Sequence, residues 1–271
     1  MRRTLLASLV VLSGCAATTD LDDPDHVQTW ATTASALAVY SRVHDPIAFA
    51  DGEAPFPDPD CPEWTDDGVT ATLDGGCVTD DGVRYVGRVV IIRDREGNRD
   101  ATFAGWGSGR DGVSPANGEV HIRQLAEEDH EFDIDLYVDA IAPLTIDYSG
   151  RVQGTYRGPT TWNGEGTVRR QSFDPAGLAH AVTVDQVRDG DVCSNQPASG
   201  QTTIEIDDRV LVVTYDGATD CDEGQAAPYS VDGVDRGRVD GIGCSAAPGR
   251  RAPAWPLLVA AAALLLRRRP R

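Results

Sequence analysis

The sequence predicts a mainly β protein, a single antiparallel meander that closes as a barrel or a sandwich, with one N-terminal helix and a C-terminal apolar helix. Three observations support this fold class. Strand-like segments follow one another from about residue 69 to residue 240, with no helical pattern between them. Apolar and polar residues alternate along the clearest of these segments. Turn-forming Asp-Gly and Asn-Gly pairs separate many of them.

The alternation is clearest in segments 131–139 and 144–156. In the second segment the even positions hold Leu, Ile, Tyr, Gly and Val, and the odd positions hold Thr, Asp, Ser, Arg and Gln. Such a pattern is typical of a strand with one face on a core and the other in water. The other predicted strands are 69–74, 83–93, 99–106, 118–124, 160–172, 179–187, 201–206, 209–215 and 231–239, and the predicted turns are Asp81-Gly82, Asn117-Gly118, Asp216-Gly217 and Asp232-Gly233.

A helix is predicted over residues 24–43, ahead of the strands. Asp23 can cap its N-terminus, and Pro24 suits the first helical turn. A proline-rich loop follows from Asp45 to Pro62. The chain is therefore divided into residues 1–14 as a signal peptide, 15–62 as the mature N-terminus, 63–244 as the β domain and 245–271 as a C-terminal tail.

The charge balance excludes one class of partner. The chain holds 43 acidic residues against 24 basic ones, all of them arginine, for a net charge of −19. Sixteen of those arginines and all 43 acids lie between Cys15 and Cys244, so this part carries a net charge of about −27. A protein that binds nucleic acid by neutralising phosphates needs the opposite sign.

The N-terminus has the pattern of a secretory signal. Two arginines precede an apolar run over residues 5–12, which is too short to span a bilayer. The tetrad Leu12-Ser13-Gly14-Cys15 resembles a bacterial lipobox. This resemblance implies that Cys15 is lipidated and becomes the first mature residue; the alternative is an ordinary signal peptide cut after Ala17.

The C-terminus shows a second export pattern. Gly243-Cys244-Ser245 precedes an apolar run over residues 252–266, and the chain ends in an arginine cluster. This order resembles a MYXO-CTERM sorting tail, which implies that Cys244 is the processing point and that the tail is removed at the cell surface. The alternative is a simple membrane anchor whose arginines stay on the cytoplasmic side.

Four cysteines remain between the two processing sites: Cys61, Cys77, Cys193 and Cys221. An even number in an exported chain is typical of disulfides, and four cysteines allow three connectivities. The pairs Cys61–Cys77 and Cys193–Cys221 are favoured because each flanks a local strand-turn segment. Metal ligation is not expected, because the chain has no CxxC and no His lies close to these cysteines in sequence.

Three strands repeat an aromatic residue two positions before a glycine: Tyr85 and Gly87, Tyr148 and Gly150, Trp162 and Gly164. The favoured interpretation is structural: an aromatic ring covers a glycine of the neighbouring strand, or the glycine marks a bend where the sheet curls. The alternative is a platform on which a sugar ring stacks.

Carboxylates are the one abundant reactive group, and no nucleophile, zinc or phosphate-loop motif accompanies them. Glu131, Asp133 and Asp135 lie on one face of a predicted strand, about 6.8 Å apart. They are interpreted as a solvated acidic face, with a glycosidase-type pair as the alternative. No cofactor is expected, although oxygen ligands for Ca²⁺ cluster near the first cysteine pair: Asp58, Asp60, Asp66, Asp67, Asp80 and Asp81.

The segments around the cysteines resemble those of uncharacterised myxobacterial secreted lipoproteins. The resemblance covers about half of the domain, its quoted residues lie within 61–87 and 215–235, and it brings no activity with it. The sequence thus predicts a non-enzymatic lipoprotein at the outer membrane or cell surface, held to the membrane by lipid, with a structural or adhesive role. The alternatives are a carbohydrate- or calcium-dependent binding module and a secreted hydrolase.

Overall fold

The computed structural model describes residues 20–37, 58, 60–110, 113–139, 143–154, 158–170, 177–189, 197–216 and 227–239. One helix, α1 (Pro24–Leu37), precedes the strands. The strands are β1 (Glu63–Asp66), β2 (Thr70–Asp74), β3 (Cys77–Val78), β4 (Arg84–Arg93), β5 (Arg99–Gly109), β6 (Ala116–Ala126), β7 (Asp129–Val138), β8 (Leu144–Gln153), β9 (Thr160–Arg170), β10 (Gly177–Arg188), β11 (Ser199–Ile206), β12 (Arg209–Asp216), β13 (Ala227–Val231) and β14 (Val234–Val239).

The strands form one antiparallel sheet in which neighbours in sequence are neighbours in space. The order runs from β1 to β14 without a crossover, and only the short β3 lies off this path, paired with β4. The prediction of a mainly β antiparallel meander with one N-terminal helix is therefore confirmed. The predicted C-terminal apolar helix lies outside the described residues.

The prediction that the sheet closes as a barrel is wrong. The two end strands, β1 and β14, do not pair with each other, and the described strands form one sheet rather than two. All four residues of β1 are exposed, and so are the first five of β14. These strands lack the apolar alternation that would bury them against a closing partner.

A single core lies on one face of the sheet. Its buried side chains come from α1 and from strands along the whole path, and they form one cluster. Among the described elements, α1 makes most of its contacts with β11, β12 and β14, so it covers only part of the inner face. The sheet must therefore curl around this interior, which agrees with the twist of long antiparallel sheets.

Helix α1 begins where the sequence predicts. The Asp23 side chain accepts a hydrogen bond from the Asp25 amide at 2.9 Å, which caps the first turn. Val27 and Trp30 are fully buried, and the Arg170 side chain donates a hydrogen bond to the Thr33 hydroxyl. The predicted residues 38–43 lie outside the described part of the chain. Within that part, no helix is long and apolar enough to cross a membrane.

Two turn predictions had opposite outcomes. Asp232 and Gly233 both have positive φ, 53° and 75°, and join β13 to β14 as a type I′ hairpin requires. Segment 231–239 is therefore a hairpin end and a strand rather than one strand. Asn117-Gly118 is not a turn, because it lies inside β6. A Cβ atom on Gly118 would lie 2.1 Å from the Asp135 carbonyl oxygen, so this glycine allows a close approach of two strands.

Candidate functional site

The predicted processing sites, Cys15 and Cys244, lie outside the described residues, as do Cys193 and Cys221. The other predicted disulfide, between Cys61 and Cys77, is present, with a Cα–Cα distance of 5.8 Å. It ties the chain ahead of β1 to β3 beside β4. Cys61 is buried, so this covalent link also belongs to the core.

The carboxylates near this disulfide hold turns together. Asp58 accepts hydrogen bonds from the amides of Asp60 and Asp80, at 2.9 and 3.2 Å. Asp66 accepts one from Arg93, and this bond lowers the pKa of Asp66 below its usual value. Asp81 accepts one from the Thr79 hydroxyl and one from Arg110, and together these lower its pKa.

The Asp67 carboxylate is held in a turn in the same way, because the amides of Val69 and Thr70 both donate hydrogen bonds to it. Across the described ranges, no three His, Cys, Asp or Glu side chains converge in a way that could hold a metal ion. Of the six residues predicted as calcium ligands, Asp58, Asp66, Asp67 and Asp81 accept hydrogen bonds through their carboxylates from backbone, arginine or threonine donors.

The acidic face predicted on β7 is exposed, as expected for a solvated face. Phe132, Ile134 and Leu136 point into the core, whereas Glu131, Asp133 and Asp135 point outward. The three carboxylates differ in their neighbours. Glu131 accepts a hydrogen bond from Arg123 and lies opposite Arg151 on β8.

Asp135 lies between two further acids. It faces Glu119 on β6 and Asp147 on β8, so three carboxylates stand side by side across three strands. We call Glu119, Asp135 and Asp147 the acidic row. Side chains directly opposite each other in antiparallel strands have Cβ atoms about 4.5–5.5 Å apart, and like charges at that spacing repel. The sequence could not show this row, because it depends on the register between strands.

One histidine stands beside the acidic row. His121 Nδ1 lies 2.6 Å from a carboxylate oxygen of Asp100, and its Nε2 lies 3.7 Å from Glu119. The hydrogen bond to Asp100 raises the pKa of His121 above its usual value, and the charges of Glu119 and Asp133 add to this effect. This imidazole therefore carries positive charge over a wider pH range than a free histidine.

Aromatic side chains fill the inner face of the same strands. The Phe132 and Trp162 rings lie 5.2 Å apart, although their strands are separated by β8. On β8, Gly150 lies opposite Phe132 and Val152 lies opposite Trp162, so the two rings meet diagonally across this strand. A Cβ atom on Gly164 would lie 2.8 Å from the Tyr148 ring, so this ring covers a glycine of the neighbouring strand.

These contacts confirm for Tyr148 the interpretation that an aromatic ring covers a neighbouring glycine. The alternative, a sugar-stacking platform, requires exposed rings. Tyr85, Tyr148 and Trp162 are instead 8%, 3% and 4% exposed. Burial also raises the pKa of Tyr215 to about 12, so this phenol stays neutral inside the core. The inner face therefore stabilises the fold, and the groups that can meet a partner lie on the outer face.

Comparison with protein-family models, curated proteins and solved structures returns no match.

Proposed function

We propose that this chain is an exported, lipid-anchored protein of the outer membrane or cell surface, whose non-enzymatic β domain has a structural or adhesive role. The observation that carries the proposal is the division of the sheet between an inner face of aromatic and aliphatic side chains and an outer face of charged ones. A rigid sheet that displays charged side chains to water suits a module that works by contact.

The short separation in sequence between Cys15 and the first described residue supports the anchoring. Cys15 lies five residues before Asp20, the first described residue. A chain of that length spans at most about 18 Å. A lipid on Cys15 would therefore hold the domain close to the membrane surface, because α1 is packed against the sheet.

Palmitate labelling tests the anchor. Radiolabelled palmitate should enter the wild-type protein and not the Cys15→Ser variant, because the acyl chains need the cysteine. Cys244→Ser serves as the matched control and should still be labelled at the N-terminus. Equal labelling of the wild type and Cys15→Ser would contradict the proposal.

Residues 252–266 are proposed to form an apolar helix that acts as a transient sorting signal. Fifteen helical residues span about 22 Å, less than the roughly 30 Å hydrocarbon core of a bilayer. A short span is adequate while a protease acts at Cys244. The intact mass of the surface fraction should show a chain ending near Cys244, whereas a dominant species that keeps Arg267–Arg271 would indicate a permanent anchor.

The acidic row favours a second candidate, a carbohydrate- or calcium-dependent binding module. Three neighbouring carboxylates give this face a negative potential that attracts cations, although their side chains do not converge as ligands of one ion. A glycan array probed with and without Ca²⁺ distinguishes the two candidates. Calcium-dependent binding to one glycan class favours the second, and uniform absence of signal favours the first. A secreted hydrolase that uses carboxylates of β7 is the third candidate.

A further inference from the structure

An open depression lies on the outer face of the sheet, at the ends of β4 and β5 near the first disulfide. It has a volume of about 640 Å³, and its lining includes Arg84, Val86, Arg110, Val113 and Pro115. This volume lies within the range of about 300–1,000 Å³ that is typical of sites for small molecules. Nothing in the proposed function uses these residues.

Two glycines bend the strands beneath the depression, and one of them, Gly105, lines it. The register between β4 and β5 shifts after Val86, and that between β5 and β6 shifts after Ala104. Gly87 and Gly105 lie at these shifts with φ values of 68° and 64°. A Cβ atom on Gly87 would lie 2.1 Å from the Gly105 carbonyl oxygen, whereas one on Gly105 would meet open space. The bulges thus bend the strands and leave a surface that no side chain occupies.

Residues 113–115 form the wall, because they lie directly against Gly107 of β5. A Cβ atom on Gly107 would lie 2.6 Å from Val113 Cγ1, so the missing side chain lets Val113 lie directly on the strand. Val113 and Pro115 are half-buried there. Together with Val86, which points outward from β4 beside Gly107, they provide an apolar side to the depression.

The other side is cationic. Arg84 is exposed, and its side chain makes no ion pair or hydrogen bond within the described part of the chain. Arg110 pairs with Asp81, whose carboxylate also accepts from Thr79. Arg84 differs in this way from Arg110, which lines the same depression but has a carboxylate partner. Arg84 therefore presents a guanidinium that is available to an incoming anion.

We propose that this depression binds a small amphiphilic anion, a molecule with one carboxylate-like group and an apolar ring or chain. Arg84 binds the anionic group through charge-assisted hydrogen bonds, which its planar fork of donors favours. Val86, Val113 and Pro115 contact the apolar part.

The probe for this site is 8-anilinonaphthalene-1-sulfonate, which combines a sulfonate with aromatic rings and fluoresces when its rings leave water. The full chain is titrated in the Cys15→Ser background, so that the apolar ends contribute equally in every variant. One saturable site is expected. Arg84→Gln should weaken its affinity by about tenfold or more, since a hydrogen bond to a charged group is lost.

Three controls make the result decisive. Arg123→Gln removes an exposed arginine elsewhere on the outer face and should leave binding unchanged. Val113→Asp places negative charge in the wall and should abolish saturable binding, with circular dichroism confirming the fold. The uncharged analogue N-phenyl-1-naphthylamine should bind at least about tenfold more weakly, as expected when the charged contact is missing. No saturable binding, equal effects of Arg84→Gln and Arg123→Gln, or equal affinity for the two probes would overturn the proposal.

Discussion

The inner and outer faces of strands β6 to β9 hold side chains that interact in opposite ways: attractive contacts on one face and repulsion on the other. On the inner face, the Phe132 and Trp162 rings lie 5.2 Å apart across β8, and Gly150 of β8 lies opposite Phe132. On the outer face, the acidic row places three carboxylates at the same cross-strand spacing, where they repel one another. The comparison indicates that close cross-strand contacts stabilise the inner face, whereas the outer face accepts unfavourable ones in order to display charge.

The largest effect is expected when a side chain is added where the inner face has none. In Gly150→Val, the new Cβ would lie 2.1 Å from the Asn163 carbonyl oxygen, so β8 and β9 must separate. The free energy of unfolding should fall by about 3 kcal/mol or more. Urea unfolding measures it. Ser149→Val, on the exposed face of the same strand, is the control and should change it by less than about 0.5 kcal/mol; equal losses would refute the difference between the faces.

The disulfide next to the outer depression should contribute a comparable amount to the free energy of unfolding. Cys61 and Cys77 are separated by 16 residues. Closing a loop of that length stabilises the folded state by about 3 kcal/mol in the chain-entropy account. The double variant Cys61→Ser/Cys77→Ser should lose this amount in urea unfolding. Non-reducing peptide mapping of the wild type should also yield a Cys193–Cys221 peptide, and a Cys77–Cys193 peptide would contradict the local pairing.

Removing repulsion from the acidic row should raise the free energy of unfolding, by less than the losses expected for the two preceding variants. Asp135→Asn removes the central charge between Glu119 and Asp147, so the variant should be more stable than the wild type, by less than about 0.5 kcal/mol. The gain should shrink at 1 M salt, where charges are screened within about 3 Å. Thermal unfolding at two salt concentrations measures it, and a loss of stability at low salt would show that the row does not repel.

The smallest expected effect on stability comes from the ionisation of His121. Its hydrogen bond to Asp100 should place its pKa above about 6.5, the value in an unfolded chain. Since the folded pKa is raised, the stability contributed by this pair is fully present below about pH 6.5 and is lost as the pH rises through the folded pKa. An NMR titration of the imidazole should show the raised pKa, and Asp100→Asn should lower it. An unchanged pKa in that variant would exclude Asp100 as the cause.

Alternation in the sequence is sufficient to predict which residues of β7 and β8 face the core, because a strand repeats every two residues. It does not predict β1, since all four residues from Glu63 to Asp66 are exposed and have no alternation. The turn predicted at Asn117-Gly118 was wrong for another reason. Gly118 allows β6 and β7 to approach, and the Asn117 side chain accepts a hydrogen bond from the Gly105 amide at 2.9 Å.

The acidic row and the depression could not be predicted from the sequence. The row requires the register of β6, β7 and β8, and residues 119, 135 and 147 show no common spacing along the chain. The depression requires two bulges, and a glycine inside a strand pattern indicates a bulge without showing what it leaves open. Features that depend on register and strand irregularity therefore become visible only in three dimensions.

One measurement tests the division between the faces most directly: urea unfolding of Phe132→Ala and Asp133→Ala, two neighbouring residues of β7. Phe132 is 6% exposed and contacts both Tyr148 and Trp162, whereas Asp133 points into water. The account predicts a loss of about 3–5 kcal/mol for Phe132→Ala and a change within about 0.5 kcal/mol for Asp133→Ala. Similar losses in the two variants, or a larger one for Asp133→Ala, would contradict it.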